Sequence, residues 1–360
     1  MVHLTGNFLA ESPLSPKARE ALGDAIDQGW SDPAKLAHSA AKARILQDQA
    51  LESLAEGLKV RPDELEILGE PALGHFYAIG GLLRAKDNLV HSSVDRKEVF
   101  ALARTHGKMI EIPVDISGRL AFKALQKAAK YSGVFALQAA NGETGVKQNI
   151  DDLVDTAGNL RISCDYSIAG TRVALPSRWD SAFFDAKSWQ GPAGIGIVAI
   201  RNRPAWQNPL PHVGAMRTPQ SSSLPLLICA AVALEEWREN ESAEESRLRN
   251  LSTDLRNALA PIENLDIAGN LSDSLPHITS LSFLYVEGEE LLRKLEASGF
   301  SVDSGSACTA EDLAPSHVLA AMGLLTHGNI RITLHRATTS SQLNALIEAI
   351  KTSVTELRTT

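Results

Sequence analysis

Four short stretches of this chain bring together residue types that can do chemistry. Lys187 lies in AFFDAKSWQGPAGIGIVAIR, between a hydrophobic run and a Gly-containing turn that leads into a second one. Apolar surroundings disfavour the charged form of a lysine and free its amine to form a Schiff base with an aldehyde. The plainer reading is a surface lysine beside a turn. Asp165 closes the strand-like run LRISCD. An acid at a strand end holds a ligand cation such as a protonated ring nitrogen, or else caps a helix. Asn141-Gly142-Glu143-Thr144-Gly145 follows the apolar run VFALQAA. Polar groups at the C-terminal end of a parallel strand face the mouth of the sheet, where ligands bind, although a simple Gly turn accounts for the same residues. Ser304 to Thr309 surrounds Cys308 with small residues, a loop suited to carrying a thiolate to a substrate. A lone cysteine also serves as a small buried hydrophobe, but Glu311 and Asp312 just beyond it argue against a core position.

The composition limits what these groups can serve. The 360 residues hold 35 Lys+Arg against 43 Asp+Glu, a net charge of −8, with 44% hydrophobic and 22% charged residues. That is the balance of a soluble globular protein of about two domains. An acidic chain lacks the basic field a general nucleic-acid binder needs, so no nucleic-acid partner is expected. The longest apolar run, Leu224 to Leu234, contains Pro225 and falls short of the roughly 20 residues of a membrane span, so no membrane association is expected either. The N-terminal stretch lacks the basic start and apolar core of a signal peptide. Cys164, Cys229 and Cys308 are widely spaced and odd in number, which fits a reduced, cytoplasmic protein without a disulfide framework or metal cluster.

The elements that must position these groups follow from periodicity. Lys17–Trp30 and Ala40–Leu58 have helical spacing, and helices then alternate with short apolar strands. Glu66–Leu68, Asn88–His91, Met109–Ile112 and Gly133–Ala139 read as strands; Ala72–Leu83, Lys97–His106 and Leu120–Tyr131 read as helices. The strand rhythm continues through Ile150–Leu153, Leu160–Cys164, Ser181–Phe184 and Gly196–Ile200. Such alternation predicts an α/β fold, with a mostly parallel sheet covered on both faces. Leu224–Arg256 reads as a long helix, and the remainder as a smaller α+β domain.

Taken in order, these segments resemble the cysteine desulfurases of the class V aminotransferase group, enzymes of fold type I that depend on pyridoxal 5'-phosphate (PLP). The resemblance rests chiefly on SGSACTAEDLAPSHVLAAMGLL and NIRITLHRATT, supported by IPVDISGRL, NGETGVKQNI, CDYS and GPAGIG. It implies an N-terminal arm over residues 1–15, a large PLP-type α/β domain over 16–234 and a small α+β domain over 235–360, with the Trp237-to-Arg256 helix joining the two. It also implies roles. Lys187 forms the internal aldimine, Asp165 pairs with the pyridinium nitrogen, Asn141 contacts the cofactor or the substrate carboxylate, and Arg331 clamps that carboxylate. Cys308 takes sulfur from L-cysteine as a persulfide, leaving alanine. A homodimer is implied, with Ser221 or Thr218 contributing hydroxyls across its interface, as is a sulfur-acceptor protein such as an iron-sulfur cluster scaffold.

The first half departs from the family pattern, and the departures gather on the cofactor. Gly69-Glu70-Pro71-Ala72 replaces a Ser-Gly-Ala-Thr phosphate loop, removing a hydroxyl at Ala72 and adding a carboxylate. Arg96 stands where the family stacks a histidine on the ring, and Ile168 replaces a glutamine. An ungapped alignment puts Ser188 in the Schiff-base position, and a one-residue insertion restores Lys187. Two readings follow: an active PLP-dependent cysteine desulfurase with an altered phosphate cup, or a relative that has lost PLP chemistry and acts as a binding or regulatory partner.

Overall fold

Alternate residues of the central strands feed two separate cores, and this fixes the architecture. The structure, a computed structural model, describes residues 6–28, 31–212, 222–304 and 315–359. Its strands are β1 (Gly6–Phe8), β2 (Leu65–Leu68), β3 (Asn88–Ser92), β4 (Met109–Ile112), β5 (Gly133–Gln138), β6 (Arg161–Asp165), β7 (Ser181–Asp185), β8 (Gly196–Ile200), β9 (Leu265–Ile267), β10 (Ile278–Phe283), β11 (Phe300–Val302) and β12 (Asn329–Thr333). Its helices are α1 (Pro16–Asp27), α2 (His38–Leu58), α3 (Gly74–Gly80), α4 (Lys97–His106), α5 (Phe122–Ala128), α6 (Ile150–Thr156), α7 (Leu224–Leu259), α8 (Gly288–Ala297), α9 (His317–Met322) and α10 (Ser340–Thr359).

Seven strands form one sheet in the order β2-β8-β7-β6-β5-β3-β4. β7, β6, β5, β3 and β4 run parallel, while β8 is antiparallel to both of its neighbours. Phe135, Leu137, Ile162, Phe184 and Ile197 point into one core; Val134, Ala136, Phe183 and Val198 point into the other. Side chains alternate across a strand, so a sheet buried on both faces must be apolar at nearly every position, as β5 and β8 are.

The smaller layer is the antiparallel sheet β9-β10-β12, packed with α8, α10 and the C-terminal half of α7. α7 runs unbroken for 36 residues, about 54 Å at 1.5 Å per residue. Leu227, Ala230 and Leu234 bury into the large core, and Leu248, Leu251 and Leu255 into the small one. The expected 234/235 boundary therefore falls inside a single helix that both cores share. The N-terminal arm is tied to the small layer: β1 pairs in parallel with β11, and Phe8 is buried among its residues.

One expected strand is a helix. Ile150–Leu153 belongs to α6, because Ile150, Leu153 and Val154 share one buried face at helical spacing and Asp151 and Asp152 suit the first turn. The expected helix Ala72–Leu83 is split into a 3₁₀ turn, Pro71–Leu73, and α3. Among the described residues, no helix is long and apolar enough to cross a membrane.

Candidate active site

A cleft of about 670 Å³ opens where β6 and β7 end, walled by both layers and by residues 10–12 of the arm. Ala72, Arg96, Lys187 and Arg331 all line it. Cys308, Ser221 and Thr218 lie outside the described residues, but Ser304, which leads into the Cys308 loop, borders the cleft.

Asp165 ends β6 just below the cleft, behind His75, whose other side faces the open space. Asp165 Oδ1 accepts the Ser167 backbone N–H at 2.8 Å, and Oδ2 lies 2.9 Å from His75 Nε2. His75 Nε2 approaches without hydrogen-bond geometry, while its ring packs edge-on against Phe183. α3 comes this close to the strand because residue 74 is glycine: a Cβ there would stand 2.0 Å from the Phe183 ring. Burial alone would push the Asp165 carboxyl up, yet the nearby charges of His75 and Arg96 together hold it well below the usual carboxylate range. Burial also works against the Arg96 cation, but Asp165, Glu98 and Asp185 outweigh it. Arg96 Nε and Ser167 Oγ are buried without hydrogen-bond partners.

Lys187 sits in the 3₁₀ turn Ala186–Trp189 that follows β7. The turn is pinned by the buried Trp189 indole, which donates to the Ala230 carbonyl at 3.1 Å, and it closes through Gln190 in the left-handed region. Asp185 Oδ1 accepts the Lys187 backbone N–H at 2.9 Å, and Oδ2 is 3.9 Å from Nζ. The neighbouring Ser188 hydroxyl donates to the Asp185 carbonyl at 2.8 Å. The amine thus stays in the cleft, whereas the hydroxyl is turned onto its own strand.

Gly69–Ala72 presents a carboxylate to the cleft. Glu70 Oε1 accepts the Ala72 N–H at 3.2 Å. Pro71 has no N–H, Leu73 N–H bonds to the Glu70 carbonyl, and Gly74 N–H bonds to the Pro71 carbonyl. Every backbone donor from 71 to 74 is therefore spent within the turn.

Arg331, on β12, donates to Asp303 Oδ2 at 2.6 Å and to the Gly142 carbonyl at 3.0 Å, joining the small layer to the loop after β5. Its Nε is buried without a hydrogen-bond partner. Asn141 serves that loop from inside. Its amide donates to Val94 O and Gln138 Oε1, and its oxygen accepts the Glu143 and Thr144 N–H groups. Asn141 is buried, and it is Gly142 that borders the cleft. His75 and Asp303 escaped the sequence reading. The available signals were a histidine three residues after Ala72, at the start of α3, and an acid immediately before the Cys308 loop. His335 also lines the cleft, held by its ring to the Leu9 carbonyl.

A doubly covered, mostly parallel sheet, a smaller α+β layer and a cleft between them over the strand ends define fold type I of the PLP-dependent transferases. The chain belongs to the class-V aminotransferase family, whose model matches residues 76–346. Members of this family depend on PLP. Two cysteine desulfurases IscS, from Dictyoglomus turgidum and Serratia proteamaculans, are each 27% identical to it, over 98% of this chain and 95% and 93% of theirs. Among solved structures, a NifS-like protein superposes with a TM-score of 0.86 at 22% identity over 97% of this chain and 99% of its own. A cysteine desulfurase from Thermococcus onnurineus NA1 gives 0.82 at 15%, covering 96% of this chain and 93% of that one.

The cleft matches PLP unevenly. The ring end fits: the Asp165 carboxyl, held low by its neighbours, supplies a counter-charge beneath it, and Ser167 Oγ is a buried polar atom with no hydrogen-bond partner. The phosphate end fits poorly, because the N–H groups of residues 72–74 are spent within the turn and Glu70 presents a carboxylate.

Proposed function

We propose that this protein is a cysteine desulfurase of the PLP-dependent class, removing sulfur from L-cysteine and releasing alanine. One arrangement carries the reading: the Lys187 amine and the Arg331 guanidinium line one cleft, with Asp165 just beneath it and Ser304, four residues before Cys308 in the chain, at its edge. A bound cofactor of this class supplies an electron sink for bonds to the substrate carbons.

The remaining roles belong to the chain. Asp165 holds positive charge at the cleft floor. Lys187 would hold the cofactor through its amine and would hold or move a proton at the substrate's α-carbon. Arg331 offers its unspent Nε–H to the substrate carboxylate while Asp303 and Gly142 fix its plane. Asn141 acts by shaping the loop that presents Gly142. Cys308, as a thiolate, attacks the substrate sulfur: an S–S bond forms as the carbon–sulfur bond breaks, and the electron pair stays with the carbon that is protonated to alanine. The same reading carries a homodimer, with Ser221 near the cofactor of the partner subunit. It also carries a cytoplasmic location and a sulfur-acceptor protein, with iron-sulfur cluster assembly as a destination.

The test is alanine and sulfide production from L-cysteine with cofactor and a thiol reductant, which releases the persulfide sulfur as sulfide, added. Equal amounts of both, abolished in Cys308→Ala, would support the reading; alanine release without any need for Cys308 would overturn it.

A further inference from the structure

The phosphate end of the cleft carries an inference that rests on the proposed function and narrows its cofactor. Glu70 holds the Ala72 N–H, and no other backbone donor in residues 71–74 is free. Glu98 and Asp185 line the same cleft, and Asp165 lies just beneath it. Among the described residues, the cationic groups set against these four carboxylates are Arg96 and Lys187, with His75 against Asp165 and Glu98. Arg96 is already shared among Asp165, Glu98 and Asp185, and Lys187 Nζ lies 3.9 Å from Asp185 Oδ2. Burial raises the Asp185 carboxyl above its ordinary value.

A phosphate ester brings close to two negative charges and needs donors. A free hydroxymethyl group is neutral and donates its own O–H, which a carboxylate accepts. We infer that this cleft is built for the phosphate-free cofactor, a pyridoxal-type hydroxypyridine aldehyde, in preference to PLP. Asp165 would supply its counter-charge from beneath the ring, and Glu70 would accept a hydrogen bond from the hydroxymethyl group where other members of the family bind phosphate.

The experiment is calorimetric titration of the full-length protein with pyridoxal and with PLP. Pyridoxamine and its phosphate form a second pair that makes no bond to Lys187. The inference expects each phosphate-free compound to bind about tenfold or more tightly than its phosphate ester, the size of one unfavourable charge contact at a partly screened site. Glu70→Gln, and independently Asp185→Asn, should recover about tenfold of PLP affinity while changing pyridoxal affinity less. PLP binding to the unaltered protein as tightly as pyridoxal would overturn the inference and leave the desulfurase reading standing. If none of the four compounds bound the folded protein, the inference and the cofactor dependence of the proposed function would both fall.

Discussion

His75 Nε2 lies 2.9 Å from Asp165 Oδ2, joining the first turn of α3 to the end of β6 beneath the cleft. The two residues are far apart in sequence, and their approach depends on Gly74 letting the helix settle against Phe183. His75 helps to hold the Asp165 carboxyl below its ordinary range.

Replacing Asp165 by Asn removes the negative partner of both His75 and Arg96. Loss of one charge-assisted contact in a largely buried site should cost about 1–3 kcal/mol, read as a shift in the urea midpoint at constant slope. The sign with pH follows from the depressed carboxyl. Its contribution is complete above the unfolded aspartate value and fades as pH falls below about 4 towards the lower folded value. The stability gap between the parent and Asp165→Asn should therefore narrow on acidification below that value; a gap independent of pH would count against an ionised Asp165.

Glu143 works in the opposite sense. Burial pushes its carboxyl up to about 7, opposed by Ser316 and Arg331. A raised carboxyl favours the protonated form in the fold, so the folded state loses stability as pH rises from the unfolded glutamate value to about 7. Glu143→Gln abolishes this penalty. Chemical denaturation at pH 5 and pH 8 should show the variant gaining on the parent by up to about 3 kcal/mol between the two.

Arg331→Ala deletes the two bonds to Asp303 and Gly142 together with the free Nε–H. Initial rates over a range of cysteine concentrations should show a rise in KM and a fall in kcat/KM of about 10- to 100-fold, the scale of one or two charge-assisted hydrogen bonds. Arg331→Lys should recover only part of this, since an ammonium cannot reproduce the planar fork. An unchanged KM in the alanine variant would remove Arg331 from the carboxylate.

Cys308→Ala should leave cofactor binding intact and abolish sulfide release, because the thiolate is needed only when sulfur leaves carbon. Cofactor binding is read by titration and sulfur transfer by sulfide assay, so a variant that merely failed to fold would lose both.

Much of this was legible in the sequence, for physical reasons that differ by element. β5 and β8 announced themselves because a strand buried on both faces has to be apolar throughout, and Asp165 and Lys187 stood out as polar residues closing or following such runs. Arg331 was legible only through family resemblance, whereas Cys308 was also marked by the small residues around it. α6 was misread because its three apolar residues fit a short strand as well as one helical face, and the two aspartates between them carried the deciding signal. The spent amide of Asn141, the His75–Asp165 pair and the Glu70 bond to Ala72 were out of reach. Each depends on where a side-chain atom lands once distant segments or local turns have packed.

The most direct measurement is borohydride reduction of the protein incubated with pyridoxal and, in parallel, with PLP, followed by peptide mapping. A reduced adduct on Lys187, absent from Lys187→Ala, is the expected result, with greater labelling by pyridoxal at equal low concentration. No adduct in the folded protein, or one on another lysine while Lys187 stays unmodified, would contradict the assignment of Lys187 and with it the proposed chemistry.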